Sequence, residues 1–292
     1  MLRITTSCSC STLLSSRARH KQLQRIAACS SSRSSHNDAV LLPVDTLDPF
    51  PSELAPPRRV DIMLPPSYHT SPPTTRFPVL YMHDGQNAID PATSFLSVDW
   101  GLDEALLAGL DSGSLREFIA VLVWNTPQRL QEYMPAEALR WLMAQEQCWY
   151  DRVEDRYYNP TSNAYLGMLD LPGRDQTAMM GSSMGGLAAL YALQRHPEVF
   201  GAAACLSTHW VPGGGLPVAW LAQGHIPDPA THRLYFDHGS EGLDAEYGPY
   251  QKQVDQLCRA AGYTEGVNYQ SLVFSGEAHN ELAWRKRLIS FL

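Results

Sequence analysis

The chain has 292 residues, 44% of them hydrophobic, and a formal net charge of −8. This length and composition suit one large domain or two small ones with an ample core. The acidic balance argues against a nucleic-acid partner, and no stretch reaches the ~20 apolar residues that a membrane span requires.

Residues 1–37 differ in composition from the rest of the chain. They contain six basic residues, ten serines and no Asp or Glu. This composition is typical of an organellar transit peptide, so we expect a chloroplast or mitochondrial location after its removal. A disordered basic tail on a cytoplasmic protein is the alternative. In either case the segment is excluded from the fold, and residues 38–59 are interpreted as a Pro-rich, irregular lead-in.

From residue 60 onward the apolar pattern predicts strands that alternate with helices. Strands are predicted at 60–64, 79–82, 118–124, 177–180, 202–206, 234–237 and 269–274, and helices near 102–110, 184–196, 254–261 and from 281. Such alternation favours a mostly parallel central sheet with helices on both faces, a three-layer sandwich. We therefore predict a single α/β domain over 60–292.

The cysteines outside the leader are isolated from one another. Cys148, Cys205 and Cys258 are far apart in the sequence, and no C-x-x-C motif is present. We expect buried thiols, with neither disulfides nor a zinc site.

A G-x-S-x-G motif, Gly181 to Gly185, lies between a predicted strand and a predicted helix. The two glycines leave room for a sharp turn that lifts Ser183 clear of the strand end. The N–H groups at the start of the helix would point at an incoming carbonyl oxygen there. A glycine-rich turn with a chance serine is the alternative, but the flanking strand and helix favour a nucleophile elbow.

A serine nucleophile requires a base and a carboxylate that orients the base. In a strand–turn–helix site of this kind they follow in the order serine, acid, histidine, each just past a strand. His279 lies five residues after the last predicted strand. The loop after 234–236 offers three acids: Asp237 is expected within the strand, Asp244 is preferred, and Glu241 is the alternative.

The developing oxyanion requires two preorganised N–H donors. The backbone amide of Met184, directly after the nucleophile, is one candidate. The loop after the strand at 79–82 should supply the other, and we choose the amide of Gln86, next to Gly85. A polar turn with His83 packed in the core is the alternative for this loop.

Four stretches together resemble one family of enzymes. Residues 81–87, 181–187, 237–244 and 278–281 are similar to motifs of the putative esterase family of α/β-hydrolases, which includes esterase D, enterochelin esterase and feruloyl and acetyl-xylan esterases. The resemblance covers the chain from about Val60 to its end. It implies hydrolysis of a small-molecule carboxylic ester by Ser183, His279 and an acid of the loop, with neither metal nor cofactor. No pattern indicates the oligomeric state.

One segment departs from the pattern of that family. Its members carry a full helix and a loop between the residues that match 164–166 and the strand before the nucleophile, whereas here 169–174 leads to that strand almost at once. A deletion or a faulty gene model would produce this difference. It motivates one alternative, a truncated and non-catalytic relative. A second alternative is an acyltransferase that passes the same acyl group to an alcohol or thiol.

Overall fold

The computed structural model describes residues 41–144, 161–167 and 174–292. The predicted transit peptide at 1–37 lies outside these ranges. So do Cys148 and the stretch 168–173, which contains most of the short segment before the predicted elbow.

Eight strands form one sheet in the described part of the chain, in the order β1-β2-β4-β3-β5-β6-β7-β8. They are β1 Val44–Phe50, β2 Arg58–Met63, β3 Val79–His83, β4 Ile119–Val123, β5 Thr177–Ser182, β6 Ala202–Leu206, β7 Arg233–Gly239 and β8 Tyr269–Phe274. The six strands from β3 to β8 pair in parallel, and β1 and β2 add an antiparallel edge. The mostly parallel sheet is therefore confirmed.

The interpretation of 38–59 as irregular is wrong for β1. This strand pairs antiparallel with β2, from Val44 opposite Met63 to Phe50 opposite Arg58. Its sequence, with two Asp and a Pro among seven residues, carries little strand propensity. Backbone pairing with β2 at the edge of the sheet supplies what the sequence lacks, so the domain begins before residue 60.

Helices cover both faces of the sheet, as predicted. They are α1 Leu102–Ser112, α2 Arg129–Tyr133, α3 Ala136–Ala144, α4 Ser162–Gly167, α5 Met184–Arg195, α6 Leu216–Leu221, α7 Gly248–Ala261 and α8 Glu281–Arg287. Helices α2 to α7 contribute to one apolar core, and α1 and α8 contribute to a second core on the opposite face. No helix within the described ranges is long and apolar enough to cross a membrane.

The two cysteines in the described ranges match their prediction. Cys205 lies in β6 and Cys258 in α7, and both are buried and free. Burial raises the pKa of both thiols, that of Cys258 to about 12, so they remain protonated and unreactive near neutral pH.

Parallel strands bring their carboxyl ends to one edge of a sheet. Residues that follow β3, β5, β6, β7 and β8 therefore meet at this edge, although they are far apart in the sequence. The predicted site residues all follow one of these strands.

Candidate active site

Ser183 occupies a strained turn between β5 and α5. Its backbone has φ 56° and ψ −121°, a conformation that residues other than glycine rarely adopt. Its N–H donates to the Leu206 carbonyl at 2.8 Å, which attaches the turn to the end of β6. A Cβ at Gly181 would lie 2.6 Å from the Gly185 carbonyl carbon, so the turn requires glycine there. The half-buried Ser183 thus has the backbone of a nucleophile elbow.

The structure brings His279 to Asp244. The His279 Nδ1 lies 2.6 Å from the Asp244 Oδ1, and the Asp244 side chain is fully buried. Glu241, the alternative acid, is exposed and precedes the 3-10 turn Gly242–Glu246 that carries Asp244. The geometry thus pairs the histidine with Asp244.

The ionisation state of Asp244 determines the tautomer of His279. Burial alone would raise the pKa of Asp244, but hydrogen bonds from His279, Ser207 and the Gly239 amide outweigh it and hold the pKa below its usual value. An ionised carboxylate only accepts hydrogen bonds, so the Nδ1 of His279 must donate. In the neutral imidazole, the Nε2 is then left with a lone pair, which can take a proton.

Hydrogen bonds connect Ser183 to this pair through the end of β6. Ser183 donates to Leu206, and the next residue, Ser207, donates through its Oγ to the Asp244 Oδ2 at 2.6 Å. The His209 N–H also donates to the Ser183 carbonyl at 3.2 Å. The ends of β5, β6 and β7 and the loop after β8 therefore form one connected site.

Asp237, the third acid of this region, lies within β7 as expected. It is buried, and its Oδ1 lies 3.4 Å from the Arg287 Nη2. Burial raises its pKa to about 6, although Arg287 and the hydroxyl of Tyr235 oppose this shift. Its carboxylate accepts hydrogen bonds from the Ser207 amide and the Tyr235 hydroxyl, so it is engaged by groups other than His279.

The loop after β3 carries Gln86 and is held by an ion pair between the buried Asp84 and the half-buried Arg129. Asp84 accepts two hydrogen bonds of 2.7 Å from the guanidinium of Arg129, and a third of 2.7 Å from the side chain of Asn125. These bonds lower the pKa of Asp84 although burial raises it. The backbone N–H of Asn125 donates to the side-chain Oε1 of Gln86 at 3.2 Å. The loop is thus attached to the β4–α2 connection at two points.

This loop lies directly against the first turn of α5. A Cβ at Gly185 would be 3.4 Å from the His83 Cβ and 3.5 Å from the Asp84 Oδ2. A Cβ at Gly85 would collide with the backbone of β4, 2.3 Å from the carbonyl carbon of Leu122. The first N–H groups of a helix have no intrahelical acceptor, so the Met184 amide, at the start of α5, is available at the same edge.

His83 packs in the core, as in the alternative that the sequence left open for this loop. It is fully buried, its Nδ1 lies 2.6 Å from the Tyr165 hydroxyl, and burial lowers its pKa to about 3. The imidazole is therefore neutral and supports the loop from behind.

Sequence reasoning missed the groups that support the site. Arg129 had no visible partner in the sequence, and Arg287 follows Arg285 and Lys286 in a basic run that is typical of a solvated helix end. In the structure, two neighbours in this basic run differ in burial. The Arg287 side chain is 1% exposed, and the Lys286 side chain is 55% exposed. The apolar spacing of Trp284 and Leu288 was the available signal that this end of α8 turns inward.

A large cavity lies apart from the serine. A cavity of about 1120 Å³ opens at the opposite edge of the sheet, where the amino-terminal residues of β3, β5, β6 and β7 line it. Within the ranges that the structure describes, no group of three or more His, Cys, Asp or Glu is placed to hold a metal ion.

The fold and the site define a class of protein. The sheet order, the serine at the strand–helix turn after β5 and the His279–Asp244 pair at the same edge are those of an α/β-hydrolase. A family model described as Putative esterase matches residues 52–292, and the chain belongs to that family. Membership supports the hydrolysis of small-molecule esters.

The chain is also similar to a curated sequence and to solved structures. The chain is 26% identical over 253 residues to the uncharacterized protein YbbA of Bacillus subtilis (strain 168), covering 80% of this chain and 91% of YbbA. Its fold is similar to that of an IroE-like serine hydrolase from Shewanella oneidensis, at 16% identity and a TM-score of 0.59, with 86% of this chain and 79% of that chain covered. It is also similar to the enterobactin esterase FES from Shigella flexneri, at 21% identity and a TM-score of 0.57, with 87% and 60% covered.

Proposed function

We propose that the protein is a serine esterase that hydrolyses a carboxylic ester through an acyl-enzyme on Ser183. The observation that carries the proposal is the 2.6 Å contact between His279 and the buried Asp244, at the sheet edge where Ser183 stands in its strained turn. Membership of an esterase family supports the same reaction class.

In the first step, the Ser183 Oγ attacks the ester carbonyl carbon while the Nε2 of His279 takes the hydroxyl proton. The carbonyl electron pair moves to the oxygen, which accepts hydrogen bonds from the backbone amides of Met184 and Gln86. When the C–O bond to the alcohol breaks, His279 returns the proton to the leaving oxygen. The acyl group remains on Ser183.

In the second step, water takes the place of the alcohol. His279 removes a proton from the water, the resulting oxygen nucleophile attacks the acyl carbon, and the same amides stabilise the second oxyanion. Collapse of this intermediate returns the proton to the Ser183 Oγ and releases the carboxylic acid. The carboxylate of Asp244 holds the imidazole in its orientation and stabilises the imidazolium that forms in both steps.

Replacement of the nucleophile tests this proposal. We expect Ser183→Ala to abolish hydrolysis of p-nitrophenyl acetate and labelling by a fluorophosphonate probe, because the alanine has no oxygen to acylate. The melting temperature should stay close to that of the wild type. Comparable turnover by the folded variant would refute the assignment, and failure of the folded wild type to label would favour a non-catalytic relative.

An acceptor experiment separates hydrolysis from acyl transfer. With an added alcohol or thiol, a hydrolase releases mainly the free acid, whereas an acyltransferase forms a product that depends on the acceptor. Ser183→Ala is the control for uncatalysed transfer in the same assay.

A further inference from the structure

Ser207 lies at the centre of a buried network behind the His279–Asp244 pair. It follows β6 directly and is fully buried. Its φ of 41° lies in the left-handed region, which residues other than glycine rarely adopt. Its Oγ lies 2.6 Å from the Asp244 Oδ2, 3.0 Å from the Trp284 Nε1 and 2.9 Å from the Arg287 Nη2. A strained backbone thus places one hydroxyl among three partners.

The chemistry of these partners determines the direction of every bond. A hydroxyl has one hydrogen to donate and two lone pairs that accept. The indole N–H of Trp284 and the guanidinium of Arg287 are donors only, so they occupy the two lone pairs. The remaining hydrogen of Ser207 must point at the Asp244 Oδ2.

This bond determines which oxygen of Asp244 is left for the histidine. The Oδ2 accepts from the Ser207 hydroxyl and from the Gly239 amide, each at 2.6 Å, and the Arg287 Nη1 lies 3.9 Å away. The Oδ1 is directed to the Nδ1 of His279. Gly239 packs closely against the loop before His279. A Cβ at this position would lie 2.0 Å from the Glu277 carbonyl oxygen, so Gly239 cannot shift easily.

Trp284 connects the same hydroxyl to the imidazole. Its Nε1 donates to Ser207, and its ring packs edge-on against the His279 ring, with 5.0 Å between the centroids. Ser207 therefore contacts the carboxylate of Asp244 directly, and it contacts the imidazole of His279 through Trp284.

We propose that Ser207 is a positioning residue of the esterase, whose hydroxyl orients the Asp244 carboxylate so that its Oδ1 faces His279. This inference rests on the proposed function, because it assigns Ser207 a role through the acid of that same site. The Ser207 hydroxyl is buried and bonded to Asp244, Trp284 and Arg287, so its role is exerted through the acid and not on the substrate.

The variant Ser207→Gly removes the hydroxyl and adopts a φ of 41° without strain. We expect kcat for p-nitrophenyl acetate to fall about 10- to 100-fold, since a hydrogen bond to a charged group is lost, while KM stays within about twofold. In proton NMR, the downfield signal of the His279 Nδ1–H should move upfield or broaden, because Asp244 is no longer held in one orientation.

A buried serine in another part of the domain provides the matched control. Ser162 is fully buried at the start of α4, and its Oγ accepts from the Ala136 amide at 3.0 Å. Ser162→Ala removes a buried hydroxyl of the same kind, so it should lower the melting temperature while leaving kcat of the folded protein unchanged.

A double-mutant cycle separates positioning from general destabilisation. If Ser207 acts through the acid, Ser207→Gly should cost little further activity in an Asp244→Asn background. Equal losses in both backgrounds, or an unchanged kcat in the single variant, would overturn the inference. The wild type would still label at Ser183 in that event, whereas failure of the proposed function would abolish labelling in all variants.

Discussion

Asp84 and Asp244 are two buried carboxylates at the sheet edge that carries Ser183, and their partners differ in kind. The Asp84 side chain, on the loop after β3, is bound by both arms of the Arg129 guanidinium at 2.7 Å. Asp244, after β7, is bound by a hydroxyl, an amide and an imidazole, and the Arg287 Nη1 stays 3.9 Å away. Both carboxylates have a lowered pKa in spite of burial.

The difference shows how one site keeps a negative charge in two ways. Arg129 neutralises the charge of Asp84 directly, so that carboxylate serves as an anchor for the backbone of its loop. The charge of Asp244 is held mainly by neutral donors, so it would be available to the positive charge that the proposed mechanism places on His279. The following variants test this contrast, from the largest expected effect to the smallest.

Asp244→Asn should give the largest loss of activity. The amide can donate to the Nδ1 of His279, which favours the wrong tautomer, and the negative charge is lost. We expect kcat/KM for p-nitrophenyl acetate to fall by about 10,000-fold. Glu241→Gln is the matched control, because that exposed acid precedes the same turn, and its activity should stay within about twofold of the wild type. A large loss in Glu241→Gln with a small loss in Asp244→Asn would reverse the assignment.

Asp84→Asn should act on the backbone of the oxyanion loop. The variant leaves the half-buried Arg129 guanidinium without its charged partner, and we expect the free energy of unfolding to fall by about 2 kcal/mol, since solvent screens part of the loss. With the Gln86 amide less well placed, kcat should fall about 100-fold, as when one oxyanion donor is lost. Urea unfolding and steady-state kinetics measure the two effects. Arg129→Lys keeps the charge but loses the second hydrogen bond, so we expect smaller losses than in Asp84→Asn, and wild-type values for this variant would argue against a bidentate anchor.

Asp237→Asn should change the pH dependence of stability. The pKa of Asp237 is raised to about 6, so between about pH 4 and pH 6 the folded protein holds a proton that the unfolded chain has lost. The contribution of Asp237 to the free energy of unfolding therefore falls as pH rises through this window, by about 3 kcal/mol at most. Urea unfolding at several pH values should show the wild type losing stability relative to the variant. Parallel curves for the two proteins would contradict the raised pKa.

Local patterns were enough to predict most of the fold. Apolar runs such as 118–124 mark strands that are buried on both faces, and the spacing of Met184, Leu187 and Tyr191 marks the helix after the nucleophile. These signals depend on neighbours within one element. The strand β4 and the helix α5 occupy the predicted positions in the structure. The strand β1 was missed because its stability comes from pairing with β2 and not from its own residues.

The sequence by itself selected Ser183 and His279 as candidates, with a short group of acids that could join them, because each follows a strand that its own residues define. Only the tertiary structure decided that Asp244 faces His279, that Arg129 binds Asp84 and that Ser207 and Arg287 are buried behind the pair. The physical reason is that a hydrogen bond between residues 35 or 80 positions apart depends on which strand ends meet in the sheet, and no local pattern carries that information.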